Sequence, residues 1–114
     1  MRDTRRISWI KAARRDFEEF PEDVQDTMLR ALTIAAEGSK SDIAKPFKVV
    51  EGGVFEIALQ YRRDAFRVVY AVKIGVDIWV VHAFQKKSKT GIKTPQTDVD
   101  LIRELLKRLK EILQ

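Results

Sequence analysis

The clearest periodicity in the chain is helical. Through PEDVQDTMLRALTIAAEG, apolar residues recur at Val24, Met28, Ala31, Leu32 and Ala35, and this spacing predicts an amphipathic helix. Pro21 suits its first helical position, Glu22 and Asp23 sit at its electropositive N-terminal end, and Gly38 supplies the stop. A second stripe, Val99, Ile102, Leu105, Leu106, Leu109, Ile112 and Leu113, predicts a C-terminal helix capped by Thr94 and opened by Pro95. Upstream, Arg6 to Ile10 reads as a short strand and KAARRDFEEF as a first helix that Pro21 interrupts.

Between the two long helices the period changes. SKSDIAKPFKVVEGG mixes Ser, Pro, Gly and charge without a clean period and reads as a connection. VFEIALQYR (54–62), AFRVVYAVKI (65–74) and VDIWVVHAFQ (76–85) then read as three strands, joined by links so short that an antiparallel meander follows. Phe55, Ile57, Leu59 and Tyr61 alternate onto one face with Phe66, Val68, Tyr70, Val72 and Ile74, which makes that face the core side. The other face carries Glu56, Ala58, Gln60 and Arg62, then Arg67, Val69, Ala71 and Lys73, a smaller and more polar set expected to form a shallow cleft. In the third strand Ile78, Val80, His82 and Phe84 make one set and Trp79, Val81 and Ala83 the other; both are largely apolar, so this strand should be covered on both sides. The expected fold class is α+β: two N-terminal helices and a C-terminal helix packed on an antiparallel sheet, in the order β-α-α-β-β-β-α.

Composition narrows the function classes. A chain of 114 residues has room for one domain, residues 1–114, and 45% hydrophobic with 34% charged residues is the make-up of a packed protein. With 22 Lys and Arg against 17 Asp and Glu, the net charge of +5 favours an anionic partner, nucleic acid first. The absence of Cys excludes disulfides, thiolate catalysis and a Cys-based zinc site, and a single His favours no metal, so no cofactor is expected. The start, MRDTRRISWIKAARR, lacks the apolar run and cleavage site of a secretory signal. Val76 to Phe84 is interrupted by Asp77 and His82 and is too short to span a bilayer, so a cytoplasmic protein without a membrane partner is expected.

The candidate chemistry is cationic. Between Arg62 and Lys93 stand Arg62, Arg63, Arg67, Lys73, Lys86, Lys87, Lys89 and Lys93, against only Asp64 and Asp77. In an antiparallel meander the exit of the third strand lies beside the entry of the second, so Lys86 and Lys87 should converge on Arg67. There a planar guanidinium can grip phosphate while lysines add point charge. The competing reading is a solvated face, as most charge runs are. Ser88 has no base arranged for it and reads as a loop hydrogen-bonding residue. His82 reads equally as a general acid or base and as a satisfied core histidine. Tyr61, near a strand end, is the aromatic best placed to stack on a base, whereas Tyr70, Trp79 and Phe84 read as core.

The stretches AKPFK, GGVFEIAL, AFRVVYAV and VDIWVVHAFQKKSKTGIKTPQTDVDLIRELLKRL together resemble the RelE/ParE superfamily of toxins, and within it the phage-derived branch of HigB-like and Tad-type proteins. The resemblance runs over nearly the whole chain. It is most specific from His82 to Leu106, where an aromatic, paired lysines, a Thr-Pro cap and an acidic helix start recur together. It implies a RelE-like fold and a type II toxin, held by a helix-turn-helix antitoxin and cutting mRNA in the ribosomal A site. That reaction is attack of a ribose 2′-hydroxyl on its adjacent phosphate. It needs a proton acceptor, a partner for the phosphorane charge and an acid for the leaving 5′-oxygen.

By the same resemblance Arg67 falls on the strand arginine that holds the scissile phosphate, and Lys87 on a second catalytic basic residue. Lys86 and His82 join them as candidates for the remaining groups; Arg62, Arg63, Lys89, Lys93 and Tyr61, read from charge and position along the strands, form the candidate RNA-binding set. The sequence departs from the RelE pattern at two places. Its paired lysines of the preceding strand fall on Glu56 and Ala58, and its C-terminal tyrosine has no counterpart here. The base therefore stays open among Lys86, Lys89, His82 and Glu56, with Glu56 also read as an ion-pair partner. ParE-like relatives share the fold and inhibit DNA gyrase by binding it, so the fold leaves both targets open.

Overall fold

The computed structural model describes residues 4–87 and 94–113. Its elements are β1 (Ile7–Trp9), α1 (Lys11–Phe17), α2 (Glu22–Ala36), β2 (Ala44–Pro46), β3 (Val54–Tyr61), β4 (Asp64–Ala71), β5 (Ile78–Lys87) and α3 (Gln96–Leu113). The strands form one sheet in the order β1-β5-β4-β3-β2, antiparallel throughout except for β1, which runs parallel to β5. The α+β class and the three-strand meander are as the sequence predicts. The parallel pair and β2 are additions.

β2 lies inside the stretch expected to be a connection. It is three residues long and ends in Pro46, a residue that sheets tolerate at an edge because it has no amide to give. The meander is also tighter than predicted at one end and looser at the other. Tyr61 pairs with Asp64 across a two-residue turn, in which Arg62 takes φ +58°. β4 stops at Ala71 and β5 starts at Ile78, because the guanidinium of Arg5 holds the turn between them. It donates to the carbonyls of Val72 at 2.7 Å, Val76 at 2.9 Å and Asp77 at 3.0 Å.

The end of α2 follows the local signal. Gly38, at φ +95°, donates to the Ala35 carbonyl and Ser39 to that of Ile34, the paired bonds of a Schellman stop. Pro21 precedes α2 as its N-cap, one position before the predicted one, and its carbonyl accepts from the Gln25 amide.

Two apolar layers sandwich the sheet. On one face Val24, Met28, Ala31 and Leu32 of α2 pack on Ile57, Val68, Tyr70 and Val80, extended by the rings of Phe17, Phe20 and Phe66. On the other, Val99, Ile102, Leu106 and Leu109 of α3 cover Val69, Ala71 and Val81. The polar face expected as a cleft is thus half roofed by a helix. β5 is covered on both sides, as its apolar pattern predicts.

One irregularity decides the site. Val69 pairs with His82 but Tyr70 with Val80, so Val81 is an extra residue in β5. A bulge of this kind reverses the alternation beyond it. Val80 and Ala83 consequently share the α1/α2 core, and His82 and Phe84 leave the set of Ile78 and Val80 and turn to the α3 side.

Candidate active site

Register places the candidate residues in rows across β3, β4 and β5. Glu56, Val69 and His82 form one row; Ala58, Arg67 and Phe84 form the next; Gln60, Ala65 and Lys86 form a third. All lie on the face that α3 shares. Arg67 and His82 are diagonal neighbours, a relation that spans about 7–8 Å between backbones.

Arg67 is only 4% exposed. Its Nη1 donates to both oxygens of Glu56 at 3.3 Å and to the hydroxyl oxygen of Thr94, also at 3.3 Å. The Thr94 hydroxyl in turn donates to Glu56 Oε2 at 2.7 Å. Three side chains from two strands and the approach to α3 thereby close on one another. Burying a guanidinium is costly unless a carboxylate accompanies it, which explains why Glu56 stands on the adjacent strand.

His82 makes the second attachment. Its Nε2 donates to Asp98 Oδ1 at 2.8 Å, in the first turn of α3, and its ring stacks on Phe84 with centroids 5.0 Å apart. With the Nε2 proton committed to a carboxylate, a neutral ring presents Nδ1 as its lone-pair nitrogen. His82 is therefore buried and hydrogen-bonded, as a satisfied core histidine is, but on the α3 side and not in the α1/α2 core. It is oriented by a carboxylate, the arrangement that fixes which nitrogen can take a proton.

Several expectations change here. The Thr-Pro pair does not cap α3 as read: Gln96 opens the helix, the amides of Asp98 and Val99 reach the Pro95 carbonyl at 3.0 Å, and Thr94 spends its hydroxyl on Glu56. Arg67 lies under the start of α3 instead of on an open face. Glu56 takes the ion-pair role weighed for it, at 3.3 Å from Arg67. Lys86 lies one row beyond Arg67 on the same face, as convergence requires. Lys87 is placed by its backbone opposite Asp64, while its side chain, Ser88, Lys89 and Lys93 lie outside the described residues.

The remaining candidates are not brought to this site. Tyr61 packs on the α1/α2 side, edge-on to Phe66 at 6.4 Å, with its hydroxyl donating to Asp23 at 3.3 Å. Arg62 rests over the Tyr61 ring, 5.3 Å from its centroid, and Arg63 shares its exposed turn. Thr94 and Asp98 are the participants that residue-by-residue reading passes over. Both look like ordinary helix-start residues, and only the bulge that turns His82 toward α3 gives Asp98 its partner. Among the described residues no group of three His, Asp or Glu side chains could hold a metal, and no helix is long and apolar enough to cross a membrane.

In this small α+β protein the approach and first turn of α3 pin an arginine and a histidine, each with its carboxylate, to one face of a meander. The chain belongs to the family described as Phage derived protein Gp49-like (DUF891), whose profile matches residues 15–107. Among solved structures it is similar to a chain of the RelBE2 toxin–antitoxin complex of Mycobacterium tuberculosis. Identity is 15%, with 75% of this chain and 94% of that chain covered and a TM-score of 0.49. No curated protein matches the sequence significantly.

Proposed function

We propose that this protein is the toxin of a type II toxin–antitoxin system, a HigB-like member of the RelE/ParE superfamily, and that it cuts messenger RNA on the ribosome. A helix-turn-helix antitoxin is its partner. The observation that carries this reading is the gathering of Arg67, Glu56 and Thr94 beside His82 and Asp98 on one sheet face. The resemblance of the sequence supports it.

The chemistry follows from what each group can do. A phosphodiester entering from the Lys86 side competes with Glu56 for Arg67, whose planar fork suits phosphate as well as carboxylate. As negative charge builds on the phosphorane, Arg67 and the neighbouring lysines stabilise it without metal. His82, held by Asp98 through Nε2, takes the 2′-hydroxyl proton on Nδ1 as that oxygen bonds to phosphorus; the phosphorus–5′-oxygen bond breaks, the leaving oxygen takes a proton from the Lys86 ammonium, and Asp98 acts as a positioning residue. Thr94 must withdraw for the phosphate to reach Arg67, so the segment that leads into α3 gates the site.

The test is message cleavage on translating ribosomes, mapped by primer extension, with Arg67→Ala and His82→Gln beside the wild type. Intact message in the wild-type reaction overturns the nuclease reading. The second reading, a ParE-like protein that binds DNA gyrase, is favoured by one observation. Arg67 is buried and already neutralised, which suits a surface that binds without opening. Inhibition of supercoiling with no message cleavage would select it.

A further inference from the structure

A groove of ≈ 570 Å³ lies at the β1 border of the sheet, apart from the side chains that hold Arg67 and His82. It is lined by Trp9 of β1, Trp79 of β5 and the basic residues Lys11, Arg14 and Arg15 of α1, with Glu18 the single acid. Both tryptophans of the chain are therefore here, and both are half-buried. Trp9 leans on Phe17, with ring centroids 5.0 Å apart, while Trp79 packs beside the α3 layer. Neither ring is fully absorbed by the core.

The surroundings are cationic. The first fifteen residues carry six Lys and Arg against Asp3 alone, a net +5 that equals the charge of the whole chain. Arg14 lies 3.3 Å from Glu18 and Arg15 3.5 Å from Asp16, but these pairs stand in solvent, where an ion pair contributes little and phosphate can compete for the arginines. Lys11 is exposed beside them. β1 is three residues long, too short a template for an added strand. Rings beside cations are what a single nucleic-acid strand needs, stacking for its bases and charge for its backbone.

The groove also lies within reach of the reaction site. Trp79 and His82 both face the α3 side of β5, opposite Ala71 and Val69 of β4. Those two rungs are about 7 Å apart. RNA held at His82 has a short path along β5 to Trp79.

We infer that this groove binds single-stranded RNA beside the cleaved bond, with bases on Trp9 and Trp79 and phosphates on Lys11, Arg14 and Arg15. Placing that RNA on the message rests on the nuclease reading above; the rings and the charge do not.

The full chain is titrated without ribosomes, at 0.05 M salt, with a ten-nucleotide 2′-O-methyl RNA, which lacks the attacking hydroxyl and stays intact. Inorganic polyphosphate, a polyanion without bases, is the control. Because both tryptophans line the groove, their fluorescence reads it directly. The RNA is expected to quench the emission and to move both indole N–H resonances of nitrogen-15-labelled protein, and polyphosphate to do neither. The triple variant Lys11→Glu/Arg14→Glu/Arg15→Glu should bind the RNA at least tenfold more weakly, while its emission without RNA matches the wild type and shows it folded. Unquenched emission with RNA, an equal response to polyphosphate, movement of one indole alone, or undiminished affinity in the triple variant overturns the inference. A tenfold weaker hold of the triple variant on message-free ribosomes would assign the strand to ribosomal RNA and overturn its placement on the message. Cleavage enters none of these measurements, so failure of this site and failure of the nuclease reading are separately visible.

Discussion

On the α1/α2 side of the sheet the rows are apolar from Phe55, Tyr70 and Val80, with the first two rings stacked 5.5 Å apart, to Ile57, Val68 and Ala83, and only beside Leu59 and Phe66 does a polar residue, Gln85, join them. On the α3 side the rows pass from Val54, Ala71 and Trp79 to Glu56, Val69 and His82, and then to Arg67, within two rungs. The same strands therefore build a filled core on one face and a half-roofed, charged surface on the other. The difference shows where stability is gained and where it is given up. Apolar burial is favourable at about 25 cal/mol per Å². A buried ion pair returns little or nothing over an apolar pair of the same size. Charges held under a helix start at such a cost point to use.

The sharpest way to break the comparison is to remove charge from one face and volume from the other. Arg67→Ala should lower message cleavage by about 10²–10³-fold, the usual loss when one electrostatic stabiliser goes. It should also destabilise the fold by about 3 kcal/mol, because Glu56 is left without its cation. Arg67→Met combined with Glu56→Leu should recover that stability in denaturant titration and leave cleavage absent. If the double variant is as unstable as the single, the ion pair is structural after all.

Ile57→Ala, on the filled face, should cost about 3 kcal/mol through the cavity it opens, while cleavage per folded molecule stays at the wild-type level. A cleavage defect larger than the folded fraction explains would show that the two faces are not independent. A smaller effect appears at alkaline pH. Burial pushes the Tyr70 hydroxyl up to about 12, from the 10 of an exposed tyrosine. The neutral form is favoured in the folded state, so this contribution is intact below pH 10 and is lost as pH rises from 10 towards 12. Tyr70→Phe should flatten that limb of the stability profile. Smallest of all, Tyr61→Phe removes one partly exposed 3.3 Å hydrogen bond to Asp23. It should change stability by less than about 1 kcal/mol and leave cleavage unchanged, since the ring faces away from Arg67.

The filled face was legible in the sequence and the charged one only in part. Helix α2 and its Gly38 stop are local matters, decided by spacing within a few turns, and strand alternation put Ile57, Val68 and Tyr70 correctly in one core. The bulge at Val81 has no such signature, because Val80, Val81 and His82 are all compatible with an unbroken strand. Missing it sends His82 to the wrong face and hides Asp98. β2 escapes because three residues ending in proline carry no period, and Thr94 escapes because Thr-Pro is a ready-made cap signal. Arg67 and Glu56 were both noticed, yet their pairing depends on a strand register that no single-strand pattern contains.

Pro46 has a consequence for what the sheet excludes. A sheet that accepts strands on both borders can propagate, each molecule templating the next. Here the far border is β2, three residues long and closed by a residue with no amide to donate. The β2 border thereby offers a neighbouring molecule neither the length nor the amides to add a strand, and the sheet is guarded there against edge-to-edge growth.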